Sequence, residues 1–286
     1  MSETAPSPLA TLRDILVGST VESGYEKASA AIGYGLGLAR AAGAHLTVQS
    51  ASWRLSGDDG WLADFDSKET TIVDRRLDAL ARALAQDAAG AAGLAGIVCT
   101  TETPSLSYPE IVNRLAERAR LYDLTILDAG QSSYDLDRET IETALLRSGR
   151  PVIAVPPQHA TFSARRIVLA WDGSAQAVRA ANDALPLLRA AEAVEIVAVL
   201  GEAETEGAMP GTEFAPHLAR HGVTVSVDTL ALADSVADTL RAGAVRFGAE
   251  LIVMGAYRHS RVREFFFGGV TRSLLKSSPA PLFLSH

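Results

Sequence analysis

The chain has 286 residues, 48% of them hydrophobic, which is long for one core and comfortable for two of roughly 140 residues each. Its net charge of −8 argues against a sequence-independent nucleic-acid binder, which needs a basic face, but leaves room for a small anionic ligand held by backbone N–H groups. The one cysteine, Cys99, excludes an internal disulfide and a Cys-based zinc site. It reads as a small residue in or near a strand.

The N-terminal stretch Met1 to Leu9 is polar and contains proline. It lacks the charged and apolar regions of a signal peptide, and no apolar run approaches the roughly 18 residues of a membrane span, so a cytoplasmic protein is expected. Strands are then expected near 14–19, 44–51, 96–101, 123–129 and 151–155. Helical patterns lie between them, the longest from Trp61 to Ala89 with Ile72, Leu77, Leu80 and Leu84 at helical spacing. The acidic run from Asp58 to Asp66 reads as a solvated loop and helix start. Paired prolines at 156 and 157 cannot continue a central strand, so a boundary falls there.

The same order then recurs, with strands near 166–171, 194–200, 223–229, 250–256 and 281–285. Arg13 to Gly18 resembles Arg166 to Trp171, Asp123 to Leu127 resembles Glu250 to Met254, and Pro151 to Val155 resembles Pro281 to Ser285. The offsets are about 152, 127 and 130 residues, so the second copy is shorter by about 25 in its middle. There an acidic Gly/Pro stretch, Gly201 to Gly211, precedes a short helical piece from Thr212 to His221. Pro186 inside the helical run Ser174 to Ala191 predicts a kink or an early stop. Apolar strands alternating with helices imply a parallel sheet covered on both faces, with right-handed crossovers.

In such a sheet a ligand sits at the carboxyl ends of the first and fourth strands, where the strand order reverses. After the first strand of copy two comes Trp171-Asp172-Gly173-Ser174. Ser174 is a candidate N-cap. Asp172 is either an acceptor for an adenine amine or ribose hydroxyl or a turn aspartate bonded to its own backbone. After the fourth strand comes Gly255-Ala256-Tyr257-Arg258-His259-Ser260-Arg261, and later Gly268-Gly269-Val270-Thr271. Gly255 permits close backbone approach. Gly268 and Gly269 open a helix whose free N–H groups suit a phosphate. Thr271 adds a first-turn hydroxyl, and Arg258, Arg261 and Arg263 add positive charge. The alternative is a strand-to-helix loop with flexible glycines and solvated arginines.

The run Val253 to Ser260, with Glu264 and Gly268 to Thr271, resembles the C-terminal signature of universal stress proteins. The opening strand with Asp172-Gly173-Ser174 resembles their N-terminal signature. The resemblance implies an α/β chain of two tandem doubly wound five-stranded parallel-sheet domains, adenine nucleotide alpha hydrolase-like, with strand order 3-2-1-4-5. Residues 1–157 would form the first, with a degenerate site, and residues 163–286 the second, with a shortened second helix and the better site. It implies ATP or a related adenine nucleotide as ligand, with Mg only if nucleotide binds. Asp172 would meet adenosine, while Gly255, Arg258, Gly268, Gly269 and Thr271 would line the phosphate path. It also implies an intramolecular pseudo-dimer through the fifth strands, with a homodimer of chains as a further step.

Two departures from the nucleotide-binding signature stand out. Arg258 takes the place of its second glycine, and Gly269 the place of its Ser or Thr. Either Arg258 obstructs the ligand path or its guanidinium replaces a backbone contact. In copy one, Gly18-Ser19-Thr20 has no aspartate, while Asp128, Asp135 and Asp137 put carboxylates where phosphates would lie. His217 and His221 lack a third ligand and read as a surface pair. The expected function is a non-catalytic stress-response or signalling protein. The alternatives are a slow ATPase, with Glu264 the nearby carboxylate, or an interaction module without nucleotide, with Phe265 to Phe267 lining its surface.

Overall fold

A computed structural model describes residues 7–22, 29–55, 67–130, 136–200, 211–256 and 269–286. The first half opens with a turn of 3-10 helix, Pro8–Thr11, followed by β1 (Asp14–Val21), α1 (Ala30–Ala42), β2 (His45–Trp53) and α2 (Ser67–Leu94). It continues with β3 (Cys99–Glu102), β4 (Ser105–Leu106), α3 (Tyr108–Ala119), β5 (Leu124–Asp128), α4 (Leu136–Ser148) and β6 (Val152–Val155). The second half holds β7 (Arg166–Trp171), α5 (Ala175–Asp183), α6 (Leu185–Ala190), β8 (Ala193–Leu200) and α7 (Ala215–Arg220). It ends with β9 (Val225–Ala231), α8 (Val236–Phe247), β10 (Leu251–Gly255), α9 (Gly269–Lys276) and β11 (Leu282–Ser285).

Local chemistry sets these boundaries. Ser29, Ser174 and Ser235 each stand at a helix N-terminus and accept a backbone N–H three residues on, which satisfies a donor the helix cannot. Gly43 and Gly248 close α1 and α8 at φ +65 and +70, a left-handed conformation that glycine adopts without strain. Pro186 falls in the first turn of α6, and the break from α5 comes at Ala184. The Ala184 N–H donates to the carbonyls of Ala180 and Asn182, so Asn182, which Pro186 cannot serve, keeps a partner.

The sheet order is β3-β2-β1-β5-β6-β11-β10-β7-β8-β9, with β4 also pairing β2. Each half therefore has its strands in the order 3-2-1-4-5, and the two halves form one continuous sheet. All neighbours are parallel except at the middle, where β6 and β11 pair antiparallel with Ile153 opposite Phe283. Central strands are buried on both faces, as Ile15, Leu16 and Val17 at 0% exposure show, and this is why they read as continuous apolar runs. One face carries α1, the end of α2, α5, α6 and α7; the other carries α3, α4, α8 and α9.

Two features set the halves apart or bind them. Among the described residues, the long α2 of 28 residues has as its counterpart an α7 of six. The linker after β6 packs on α1: Phe162 meets Tyr34 edge-on at 5.2 Å. A Cβ on Gly33 would lie 2.6 Å from the Ala160 carbonyl oxygen, and one on Gly37 2.6 Å from Phe162 Cβ. These two positions of α1 take glycine because the linker runs directly against them. Among the described residues, no helix is long and apolar enough to cross a membrane.

Candidate functional site

The strand order reverses between β1 and β5 in the first half and between β7 and β10 in the second. At the second switch point Ala170 pairs with Met254, so Trp171 is level with Gly255 and Asp172 follows one residue beyond, at the same edge of the sheet. Asp172 is exposed, and its Oδ1 accepts the Ser174 N–H at 3.0 Å. Gly173 turns the chain at φ +70, and Ser174 Oγ accepts the Ala177 N–H at 3.1 Å. The local backbone bond foreseen for a turn aspartate is thus present, and it orients the Asp172 carboxylate at the mouth of the crevice.

Gly255 is crowded by protein. A Cβ there would stand 2.6 Å from Ala177 N and from Gln176 C, and 2.8 Å from Gln176 Cβ. The glycine is needed so that the first turn of α5 can lie on the end of β10. Thr271 is buried at 3% exposure in the first turn of α9, whereas Gly269 is exposed with nothing within 4 Å of an added Cβ. A right-handed crossover from β10 to β11 runs α9 antiparallel to the strands and puts its N-terminus at this same edge of the sheet. The described residues therefore bring together Asp172, Ser174, Gly255 and the start of α5, with Gly269 and Thr271 at the same edge. Arg258 and Gly268 lie outside the described residues, as do Arg261, Arg263, Glu264 and Phe265 to Phe267.

The first switch point is chemically different. Asp128 ends β5 and reaches the N-terminus of α1: its Oδ2 accepts the Ser29 hydroxyl at 2.6 Å and its Oδ1 the Ala31 N–H at 2.9 Å. Burial raises the Asp128 pKa, opposed by the Ser29 hydroxyl and the N–H groups of Ala31 and Ala30. Asp137 sits in the first turn of α4, and burial, followed by the charges of Asp128 and Glu22, pushes its pKa up to about 7, against the Gly130 N–H. Glu22, just past β1, is 3% exposed. Carboxylates from three elements thus occupy the crevice of the first half. Asp135 lies outside the described residues.

Two features escape a reading by motif. Trp171 stacks on Phe214, with ring centroids 4.5 Å apart and planes at 21°, and the rings of His217 and His221 continue the series at 5.1 and 4.7 Å. The histidine pair is thus tied into an aromatic row, with His217 Nε2 3.4 Å from Asn182 Oδ1. No group of three metal-ligating side chains occurs among the described residues. The other feature is the role of Asp128 as a helix cap. The offset of 127 residues that aligns the fourth strands also aligns Asp128 with Gly255, so the signal was present, but only the contact with α1 gives it meaning.

The model of the Universal stress protein family matches residues 163–286. A universal stress protein from Archaeoglobus fulgidus DSM 4304 is similar over 95% of this chain and 95% of its own, at 16% identity and a TM-score of 0.71. A functionally unknown protein from Pseudomonas aeruginosa PAO1 is similar over 97% of this chain and 93% of its own, at 14% identity and a TM-score of 0.58. A candidate universal stress protein from Pseudomonas aeruginosa UCBPP-PA14 matches over 97% and 94%, with the same identity and TM-score. At these identities the likeness establishes the fold. No curated protein matches the sequence.

Proposed function

We propose, from the match of residues 163–286 to the model of the Universal stress protein family, that the protein is a non-catalytic stress-response or signalling protein that binds ATP or a related adenine nucleotide in its second half. The observation that carries this reading is the contrast between the two switch points. At the first, the Asp128 carboxylate occupies the N-terminus of α1; at the second, Gly255 leaves no side chain in the corresponding place. A phosphate is repelled by fixed carboxylates such as those of the first crevice and is attracted by the positive end of a helix. Asp172 supplies an acceptor for the sugar or base. Gly255, Arg258, Gly268, Gly269 and Thr271 make up the phosphate path, and Mg enters only as the companion of a bound nucleotide.

The test is to purify the protein without added nucleotide, denature it and identify released small molecules by mass spectrometry, alongside thermal unfolding with millimolar Mg-ATP. Recovery of an adenine nucleotide, or a clear rise in Tm, supports the proposal. An empty extract together with an unchanged Tm removes it. The second reading, an interaction module without nucleotide, is favoured by one observation: α7 has six residues where α2 has 28, so that less helix covers the sheet among the described residues.

A further inference from the structure

We propose that Thr100 is a covalent acyl-acceptor site: its hydroxyl, bonded to His45 with Asp14 behind it, takes the acyl group from small activated donors such as aryl esters and acyl phosphates. The site goes beyond the nucleotide reading and does not depend on it. It lies in the first half, at the amino-terminal ends of β1, β2 and β3, whereas the crevices open at the carboxyl ends of the strands.

Strand register builds the site. Asp14 pairs with His45 and Leu46 with Cys99, so His45 is level with Val98, and Thr100 stands two residues further along the same strand. The Leu46 N–H donates to the Val98 carbonyl at 3.0 Å, which keeps Val98 in the ladder. Leu46 and Cys99 pack together in one core cluster. Side-chain alternation therefore turns His45, Val98 and Thr100 to the other face of the sheet, together with Asp14. There His45 Nδ1 is 2.8 Å from Asp14 Oδ1, and His45 Nε2 is 2.9 Å from Thr100 Oγ1. The Asp14 backbone is anchored in turn, since its N–H donates to Asp123 Oδ2 at 3.1 Å. Val98, 73% exposed, offers an apolar surface beside His45 for a small acyl or aryl group.

This line of three side chains fixes where the protons lie. A carboxylate only accepts, so the neutral imidazole carries its hydrogen on Nδ1 and keeps a lone pair at Nε2. The Thr100 hydroxyl then donates to Nε2. That is the order of a hydroxyl nucleophile, its general base and the carboxylate that orients the base. His45 touches the reacting hydroxyl, while Asp14 is a positioning residue that acts through His45. The line is open to solvent: the His45 side chain is 33% exposed, that of Asp14 43%, and Thr100 is exposed. Cys99 does not compete, because it faces the other way and burial pushes its thiol up, away from the reactive thiolate. In the step, Thr100 Oγ bonds to the acyl carbon as its proton passes to His45 Nε2. The bond from that carbon to the leaving oxygen breaks, the phenolate or phosphate departs, and His45 returns the proton to water. The chain keeps one ester.

The test treats the full chain, without nucleotide, with p-nitrophenyl acetate and locates the acetyl group by peptide mass spectrometry over time. Thr101 is the internal control, since it is exposed on the same strand and turned to the opposite face. Acetylation of Thr100 is expected to be about 100-fold faster than that of Thr101, the low end of what a positioned base supplies. His45→Gln is expected to abolish this ratio. Asp14→Asn is expected to reduce it roughly tenfold, because an amide can donate to Nδ1 and favour the wrong tautomer. Thr100→Ser, which keeps the hydroxyl, is expected to retain it. Equal labelling of Thr100 and Thr101, or acetyl groups found only on lysines and the N-terminus, overturns the proposal. So does a ratio that survives His45→Gln. Should His45→Gln not fold, the ratio in the natural sequence and its fall in Asp14→Asn decide together. Because ATP is absent throughout, the outcome is separate from whether the second half binds it.

Discussion

Asp128 and Gly255 stand at the same register position in the two halves of the sheet, each one residue beyond a matched pair, Gly18 with Leu127 and Ala170 with Met254. Both meet the first turn of the helix that follows the first strand. Asp128 does so by accepting bonds from Ser29 and Ala31, and Gly255 by having no Cβ to keep Gln176 and Ala177 away. One contact is thus solved in two ways, with opposite consequences for an incoming anion.

The first prediction is that Gly255→Ala is destabilising. The added methyl would lie 2.6 Å from two backbone atoms of α5, and backbone cannot swing aside as the end of a side chain can. Such overpacking typically costs about 1–3 kcal/mol. Urea denaturation of the variant should show a lower midpoint at unchanged slope, and an unchanged midpoint would mean that α5 is free to shift.

The second concerns pH. The Asp137 carboxyl titrates at about 7 in the folded chain, above the ordinary value of roughly 3.9 when unfolded. Between these values the folded state holds a proton that the unfolded state has released, so stability falls as pH rises from about 4 to about 7 and is level above. Asp137→Asn carries no such proton. It should flatten this part of the curve and be more stable than the natural sequence at pH 8 by roughly 2–4 kcal/mol. Denaturant midpoints measured from pH 5 to pH 8 check this, and parallel curves for the two proteins would contradict it.

Much of the architecture is legible before any coordinates. The central strands were placed within a residue or two because burial on both faces makes them unbroken runs of Val, Ile and Leu, as at Ile167 to Trp171. The break at Pro186 follows from its missing N–H. Edges are harder. The helical pattern begun at Trp61 is described from Ser67 and runs on to Leu94, since exposed alanines and aspartates carry no sharp stop signal. The two-residue strand Ser105–Leu106 is too short to show any period. At the site, motif spacing finds Asp172 and Gly255 but not the close packing of Gly255 on the first turn of α5. The burial of the Trp171 indole N–H without a partner among the described residues is invisible in sequence, because it depends on what separate strands place beside it.

A third prediction addresses the caps. Ser174 Oγ accepts the Ala177 N–H while the Ser174 N–H itself donates to Asp172. Ser174→Ala loses the first bond only and should cost about 1 kcal/mol. Because α5 also supports the crevice, amide exchange at Ala177 should quicken by more than at residues of α8, which has its own serine cap. Equal acceleration in both helices would indicate a global loss of stability with no local fraying.

The last concerns the seam. Phe283 is 2% exposed and lies opposite Ile153, the central pair of the antiparallel contact between β6 and β11. Both residues belong to a core cluster that runs through the two halves without interruption, from Ile15 and Leu46 to Val194 and Ile196. Phe283→Ala removes a ring that this cluster encloses, and aromatic truncation in a core costs about 3–5 kcal/mol. Since the linker also binds α1 through Tyr34 and Phe162, the halves are expected to unfold together. Calorimetry of the natural sequence should give one transition, with the variant's single transition at lower temperature. Two transitions in the natural sequence, with only one of them moved by Phe283→Ala, would show instead that the sheet is continuous in geometry and divided in energy.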